Sequence, residues 1–441
     1  MISLTIQAFV NGRWHDAAAI AFDDPDRGNA GGTGLTYDSD YFFNFGAIDA
    51  LDRPVIDRRA VSVAQPLSLE WFRLPGWPAW LLDLMPQGIA RQTIAQELGM
   101  RADDPAVEFH LLLRAGGAPV GNLRIKEAWE SERRRIDDVV CPPLTDRDIE
   151  IRSEQLIEVV SRFALLASGS SGVQGEWPKA LMTRSAKDGF WYPDPFVGTE
   201  DGAEHVILKM QRSQEAEDRL IIESEAPYLD LAASFGLNVA APLRYANAIL
   251  AIPRFDREVV DGRVLLHGQE SLVAGIGVAQ FGHVGHHERY LSLIQSVSAD
   301  QRADTLEYVL RDVLNHAMGN PDNHGRNSAL TKRADGIIRL SPLFDFAPMM
   351  ISRAGIGRST RWRCHESLGA EGRWRAICQA AAFAGLDPWE IADAILERLD
   401  FLTDLPREAL RYGVPEEVVD RAIGRAPALA EEIAEDLKGG F

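Results

Sequence analysis

The segment between Ser298 and Gly319 constrains the fold of this chain more than any other part of the sequence. Apolar residues recur there at helical spacing and make one face apolar: Leu306, Val309, Leu310, Val313, Leu314 and Ala317. Such a stripe has to be buried, which predicts a core helix. Gly319-Asn320-Pro321 ends the helix, because proline lacks the next backbone N–H donor and restricts the residue before it.

The loop that follows this helix carries oxygen-bearing side chains at a distinctive spacing. Asn327 lies five residues after Asp322, and Asp345 follows Asn327 by eighteen residues, with a predicted strand at 337–340 between them. This is the spacing of a protein-kinase catalytic loop and its metal-binding aspartate. One carboxylate is needed beside an acceptor hydroxyl, and an amide oxygen with a second carboxylate suits Mg²⁺. Turns and caps use the same residue types, so the prediction depends on the three positions together.

Two lysines are candidates for a contact with phosphate. Lys209 ends an alternating segment at 205–210, which predicts a strand that presents a point charge on a rigid element. Lys179 is the alternative, just beyond the glycine-rich stretch 169–175. Glycines there would let backbone amides approach phosphates closely, although the stretch matches neither the Walker motif nor the dinucleotide fingerprint, and a flexible loop is the other interpretation.

A carboxylate that pairs with the lysine is predicted in the segment around residue 225. Glu225 is the candidate, with Ser224 as the N-cap of a helix and Pro227 in its first turn. Glu223, two residues earlier, competes for the role.

Composition narrows the class of protein. The chain has 441 residues, enough for two or three packed units, and its 46 basic and 65 acidic side chains give a net charge of −19. That charge disfavours autonomous DNA or RNA binding. The three cysteines are too few and too separated for a disulfide framework or a closed zinc site, which indicates a reducing compartment. The N-terminus lacks the pattern of a signal peptide and no long uncharged apolar run is present, so we expect a cytoplasmic protein and no membrane association.

Four histidines are candidate zinc ligands, but their sequence pattern disfavours a zinc site. They are His267, His283, His286 and His287. The last three lie among glycines, and no His-Glu-x-x-His helix is present to support zinc.

The domain organisation is predicted from changes in pattern along the chain. The segment Thr5–Val10 followed by Asn11-Gly12 predicts a β-hairpin and a sheet-rich opening. A polar stretch at 127–148 predicts a boundary. The predicted parts are an N-terminal subdomain at 1–140, a kinase N-lobe with the glycine-rich loop and lysine strand at 150–253, and a helical C-lobe at 254–441.

Three motifs together resemble the HipA-like serine/threonine kinase family, the HipA toxins of type II toxin–antitoxin systems and their relatives. They are Ile252-Pro253-Arg254-Phe255-Asp256-Arg257, the loop 320–327 and Leu343-Phe344-Asp345. Similarity in order and spacing extends across most of the chain. The resemblance implies an α+β, two-lobed protein-kinase-like fold with a small N-terminal β-rich subdomain and a helical C-lobe.

The resemblance also implies roles for individual residues. Asp322 would be the catalytic base, Asn327 and Asp345 the magnesium ligands, and Lys209 the phosphate-contacting lysine. Further ATP-binding positions would be Gly172, Val173, Gln174, Lys179, Pro253, Arg254, Phe255, His324, Gly325, Arg326 and Phe344. Autophosphorylation in the phosphate loop would fall on Ser168, Ser170 or Ser171.

By the same resemblance, the chain would be a Mg-ATP-dependent serine/threonine protein kinase that phosphorylates a translation component such as an aminoacyl-tRNA synthetase and has a HipB-like antitoxin partner. Gln269-Glu270-Ser271 departs from the Gln-Glu-Asp that family members often carry. The alternative is a catalytically degenerate kinase fold that binds or regulates. A spaced basic set lies where a kinase activation segment would run, and we hypothesise that it grips an anionic substrate: Arg353, Arg358, Arg361 and Arg363.

Overall fold

The computed structural model describes residues 2–49, 51–161, 177–365 and 372–438. The chain forms two compact units, each built from several stretches of sequence. The first unit comprises Met1–Arg212, Tyr245–Phe281 and Leu330–Ile338. The second comprises Ser213–Arg244, Gly282–Ala329 and Arg339–Phe441. The three-part division expected from the sequence stays a prediction.

The strands of the described residues belong mainly to the first unit. In chain order they are β1 Ile2–Val10, β2 Arg13–Phe22, β3 Thr33–Tyr37, β4 Phe72–Leu74, β5 Leu123–Ile125, β6 Lys179–Ser185, β7 Trp191–Pro193, β8 Gly202–Met210, β9 Arg244–Ala246, β10 Ile249–Pro253, β11 Arg257–Val260, β12 Arg263–Leu266, β13 Gly268–Ser271, β14 Gly285–His286, β15 Ala329–Lys332, β16 Ile338–Leu340 and β17 Thr360–Arg361.

The helices alternate with these strands and dominate the second unit. They are α1 Ser39–Phe45, α2 Gly88–Glu97, α3 Val107–Ala115, α4 Lys126–Ile136, α5 Asp146–Glu150, α6 Glu154–Val159, α7 Ala216–Phe235, α8 Leu272–Gly275, α9 His287–Val297, α10 Gln301–Ala317, α11 Arg373–Ala381, α12 Pro388–Leu396, α13 Leu399–Arg411, α14 Glu416–Val418 and α15 Ala426–Lys438. None of the helices in the described part of the chain has the length and apolarity needed to span a bilayer.

Two five-stranded sheets form the framework of the first unit. One has the order β4-β3-β2-β1-β5 and the other β7-β6-β8-β10-β9. The predicted opening hairpin is confirmed: β1 and β2 are antiparallel, and Asn11 and Gly12 both have positive φ (53° and 83°), as a tight two-residue turn requires. Strands β13, β15 and β16 form a smaller sheet, and within β16 the chain passes into the second unit.

The predicted core helix of the second unit is confirmed as α10. Its N-cap Asp300 accepts a hydrogen bond from the backbone N–H of Ala303 at 3.0 Å. The apolar stripe is buried apart from Leu306, which is partly exposed, and Val313 and Leu314 are fully inaccessible to solvent. The strand expected at 337–340 is also confirmed, because β16 covers Ile338–Leu340.

The boundary expected in the polar stretch 127–148 stays a prediction; most of α4 and the start of α5 lie within that stretch. One local prediction was wrong. Ser224 does not cap a helix: α7 begins at Ala216, so Ser224 and Pro227 both lie in its interior. Burial of this helix outweighs the local capping signal, because most residues around Ser224 are inaccessible to solvent.

Candidate active site

The polar loop after α10 is tied to the last turn of that helix. The backbone N–H of Asn320 donates to the carbonyl of Asn315 at 2.9 Å. The Asn320 side chain donates to Oδ1 of Asn315, also at 2.9 Å. Gly319 supplies the left-handed backbone (φ 61°) that turns the chain out of the helix. The buried helix therefore fixes where the loop begins.

Hydrogen bonds within the loop hold the Asn327 side chain against the backbone of Asp322. The backbone N–H of Asp322 donates to Oδ1 of Asn320 at 3.2 Å. The side-chain Nδ2 of Asn327 donates to the backbone carbonyl of Asp322 at 3.0 Å. With its nitrogen used inside the loop, Asn327 keeps Oδ1 as an acceptor suited to a cation.

Asn323 fastens this loop to the segment at 359–360, a role that the sequence did not indicate. Its Oδ1 accepts from the backbone N–H groups of Ser359 and Thr360, both at 3.1 Å. Its Nδ2 donates to the carbonyl of Thr360 at 2.8 Å, and the Thr360 hydroxyl donates to the Asn323 carbonyl at 2.7 Å. We call this set of four bonds the Asn323 clamp. Its partners are more than 30 residues apart, so no local pattern signals it.

The segment that carries Asp345 is anchored by α10 and by the loop after α7. The Arg311 guanidinium donates to the Ser341 carbonyl at 2.6 Å, and the backbone N–H of Leu343 donates to the Asn238 carbonyl at 2.8 Å. Asp345 itself has a left-handed backbone with φ of 52°. Among non-glycine residues this conformation is best tolerated by Asp and Asn.

Asp322, Asn327 and Asp345 line one pocket of the second unit. Phe344 lines it too, and Nε2 of His324 lies 3.5 Å from Oδ1 of Asp322. The structure thus brings together the three residues that the sequence selected. The carboxylate of Asp345 and the amide oxygen of Asn327 are donors that fit a magnesium ion, which commonly uses one or two carboxylates together with substrate phosphates. No cluster of three or more His, Cys, Asp or Glu side chains suited to a metal occurs among the described residues.

Gly325 and Arg326, in the same loop, are both buried. A Cβ built at Gly325 would lie 2.5 Å from Cζ of Tyr290 and would also overlap its hydroxyl. Tyr290 is 1% exposed, so its ring cannot turn away into solvent. The absence of a side chain at Gly325 is therefore what lets α9 pack against the loop.

We expect Gly325→Ala to lower the free energy of unfolding by about 1–3 kcal/mol, because the extra methyl overpacks a closed contact. Chemical unfolding of both proteins measures the change. Gly357→Ala is the matched control, since a Cβ at Gly357 meets no atom within 4 Å, and it should alter stability by less than about 0.5 kcal/mol. Equal stability of the two variants would contradict the packing role of Gly325.

Both candidate phosphate-contacting lysines lie in the first unit. Lys179 in β6 is directly opposite Lys209 in β8, so the two side chains project from the same face of the sheet. Both are buried, and Nζ of Lys209 lies 5.5 Å from the centroid of the Trp177 ring. The choice between them, left open by the sequence, stays open.

Arg254 is placed in a buried ion-pair network. Its guanidinium pairs with Asp194 and, at 2.7 Å, with Asp256, and none of its side chain is exposed. Burial alone would raise the pKa of Asp256, but Arg254 and Arg257 hold that pKa well below its ordinary value. A ligand contact at position 254 would therefore involve the backbone. Pro253 and Phe255 are only half-buried, so their side chains are accessible to a ligand.

Glu225 and Glu223 differ in their surroundings on α7. Glu225 is 1% exposed, while Glu223 reaches Arg219 at 3.8 Å on the surface of the helix. A buried carboxylate costs more free energy than an exposed one unless it is compensated, so Glu225 is the better candidate for a specific ion pair. That pairing stays a prediction.

The remaining candidates have structural surroundings of their own. His287 stacks on Trp362 with ring centroids 4.6 Å apart, and its Nδ1 lies 2.9 Å from the Tyr308 hydroxyl. Arg353 pairs with Glu215 at 2.5 Å. The following candidates lie outside the described residues: Ser168, Ser170, Ser171, Gly172, Val173 and Gln174.

The fold class predicted from the sequence, an α+β protein-kinase-like fold, is confirmed by a solved structure. HipA of Shewanella oneidensis MR-1, in a complex with HipB and its operator DNA, superposes with a TM-score of 0.62 at 15% identity over 99% of this chain and 100% of that one. The proinflammatory kinase CtkA of Helicobacter pylori gives a TM-score of 0.32 at 12% identity over 52% of this chain and 92% of CtkA, too low to add an argument.

Sequence comparison identifies the family. The HipA-like C-terminal domain matches residues 171–403, just over half of the chain. This protein therefore belongs to the family defined by that domain. A curated relative from Sinorhizobium fredii (strain NBRC 101917 / NGR234), named "Putative kinase Y4mE", is 28% identical over 279 residues, 59% of this chain and 62% of the relative.

Proposed function

We propose that this protein is an ATP- and magnesium-dependent kinase that phosphorylates serine or threonine in a protein substrate. The observation that carries the proposal is that Asp322, Asn327 and Asp345 line one pocket on a loop system held by α10. Membership of the HipA-like family and the match to a relative named as a kinase support the same activity.

In the proposed reaction, Asp322 accepts the proton of the acceptor hydroxyl as its oxygen attacks the γ-phosphorus of ATP. The bond from the γ-phosphorus to the bridging oxygen breaks, and ADP leaves with that electron pair. Magnesium, when bound, neutralises charge on the phosphates and aligns them. Asn327 would hold the cation through Oδ1 and Asp345 through its carboxylate, while Lys209 or Lys179 would contact phosphate.

The finer parts of the proposal come from the family. They are a substrate in translation such as an aminoacyl-tRNA synthetase, autophosphorylation at Ser168, Ser170 or Ser171, a HipB-like antitoxin partner and a cytoplasmic location. The presence of HipB in the Shewanella HipA complex supports an antitoxin partner. We expect no autonomous DNA binding, because the net charge is −19.

Incubation of the purified chain with γ-labelled ATP, magnesium and a soluble protein extract tests the activity. We expect label on protein serine or threonine, and its loss when EDTA removes the metal. Binding of ATP without any transfer would contradict the proposal and favour the degenerate, regulatory alternative. Phosphoproteomics of cells that express the wild type or the Asp322→Asn variant would then identify the substrate.

A further inference from the structure

A cavity of about 270 Å³ in the second unit is lined largely by basic and aromatic side chains. Arg358, Arg361 and Arg373 contribute guanidinium groups, and His287 and His316 contribute imidazoles. No carboxylate lines this cavity among the described residues. The chain as a whole has a net charge of −19, so a concave site with this many basic groups stands out as a candidate site for an anion.

Among the described residues, the guanidinium groups of Arg358 and Arg361 differ in how their charges are compensated. Arg358 pairs with the buried carboxylate of Asp312, which also accepts from Nε1 of Trp362 at 2.8 Å. Burial lowers the pKa of His316 to about 3, although Asp312 opposes that shift, so this imidazole is neutral near pH 7. The charge of Arg358 is therefore balanced by Asp312, whereas the exposed Arg361 makes no ion pair with a described residue and keeps its positive charge at the cavity.

Two of the three guanidinium groups are held in place, and the third is exposed. Asp312 fixes Arg358, and Arg373 lies 2.8 Å from Nε2 of His316. Arg361 is exposed, with a long contact of 3.4 Å to the carbonyl of Arg358. Preorganised arginines lose less conformational entropy when they bind an anion, and their planar donors match carboxylate and phosphate oxygens.

The cavity adjoins the candidate active site through Thr360. Thr360 lines the cavity and is also bonded to Asn323, the neighbour of Asp322, through the Asn323 clamp. His287 lines both this cavity and the pocket that contains Asp322. An anion in the cavity would thus lie beside the segment that holds the catalytic loop.

We propose that this cavity binds an anionic side chain of the protein substrate, a carboxylate or a phosphorylated residue close in sequence to the acceptor serine or threonine. The proposal deepens the kinase function and rests on it. It assigns Arg361, Arg358 and Arg373 to substrate specificity rather than to phosphoryl transfer. A substrate whose acceptor is flanked by acidic residues is then preferred over a neutral one.

Kinetics with three matched peptides test this assignment. The peptides share one acceptor serine and differ at the flanking positions, which are Glu, Gln or phosphoserine. We expect the wild type to prefer the anionic peptides over the Gln peptide through a lower KM. Arg361→Glu should reduce kcat/KM about tenfold on the anionic peptides and leave the Gln peptide nearly unchanged, as expected for loss of a charge-assisted contact. The anionic peptide with the lower KM shows whether the cavity prefers a carboxylate or a phosphate.

Arg363→Glu is the control, because Arg363 is an exposed neighbour with the same charge that does not line the cavity. We expect it to keep the preference of the wild type. Calorimetric titration with versions of the same peptides that carry alanine in place of the acceptor serine measures binding without catalysis. Equal binding of the Glu and Gln peptides to the wild type, or equal losses in the two arginine variants, would overturn the anion site and leave the kinase function standing. Absence of transfer to every peptide and extract protein would instead count against the kinase function.

Discussion

Asp322→Asn is expected to slow phosphoryl transfer by about a hundredfold to ten-thousandfold, the range over which a positioned general base contributes to catalysis. The amide is nearly isosteric with the carboxylate but does not accept the hydroxyl proton. Because the backbone N–H and carbonyl of Asp322 make the contacts to Asn320 and Asn327, the loop should keep its conformation. Single-turnover transfer from labelled ATP measures the effect.

Nucleotide binding and thermal stability are the controls for this variant. We expect the affinity for Mg-ATP to stay within a few fold of the wild type and the midpoint of unfolding to change little, since Asp322 is partly exposed. A variant that folds, binds ATP and transfers phosphate at the wild-type rate would refute the assignment of the base.

Asp345→Asn should weaken magnesium-dependent ATP binding by about tenfold or more, which corresponds to about 1.4 kcal/mol. The physical reason is the loss of a charged oxygen ligand from the cation site. Asparagine is chosen because the backbone of Asp345 is left-handed and Asn tolerates that conformation, whereas Ala would add strain of about 1–2 kcal/mol. Titration of a fluorescent ATP analogue, with and without magnesium, measures the change.

The metal dependence separates this effect from a general loss of structure. In EDTA, the wild type and the Asp345→Asn variant should bind the nucleotide with similar affinity. If the variant is equally weak with and without magnesium, the defect lies in folding or in direct nucleotide contact, and Asp345 is not the metal ligand. The Asp322→Asn variant should keep the wild-type dependence of ATP binding on magnesium.

Features encoded over short stretches of chain were predictable from the sequence. The helix α10 follows from its apolar periodicity and its proline stop, and the β1–β2 hairpin follows from Asn11-Gly12. The grouping of Asp322, Asn327 and Asp345 could be anticipated because a kinase-like arrangement has a characteristic spacing. The family resemblance rested on that same spacing and on one further motif, at 252–257, and the family match bears it out.

Features that depend on contacts between distant residues were not predictable. Nothing near Gly325 in the sequence indicates that Tyr290 will occupy the space of its missing side chain. Likewise, Arg358 looked like a free substrate-binding charge, and only the structure shows that buried Asp312 holds it. The error at Ser224 has the same origin, because a local capping signal competes with the burial of an entire helix.

The Asn323 clamp couples the conformation of the loop 320–327 to that of the segment at 359–360. One amide side chain satisfies backbone groups of residues 359 and 360, so neither stretch can shift without giving up those bonds. Free-energy coupling of this kind is reciprocal. A ligand that stabilises residues 359–361 would therefore also stabilise the loop 320–327. A ligand bound to that loop would, to the same extent, strengthen binding at residues 359–361.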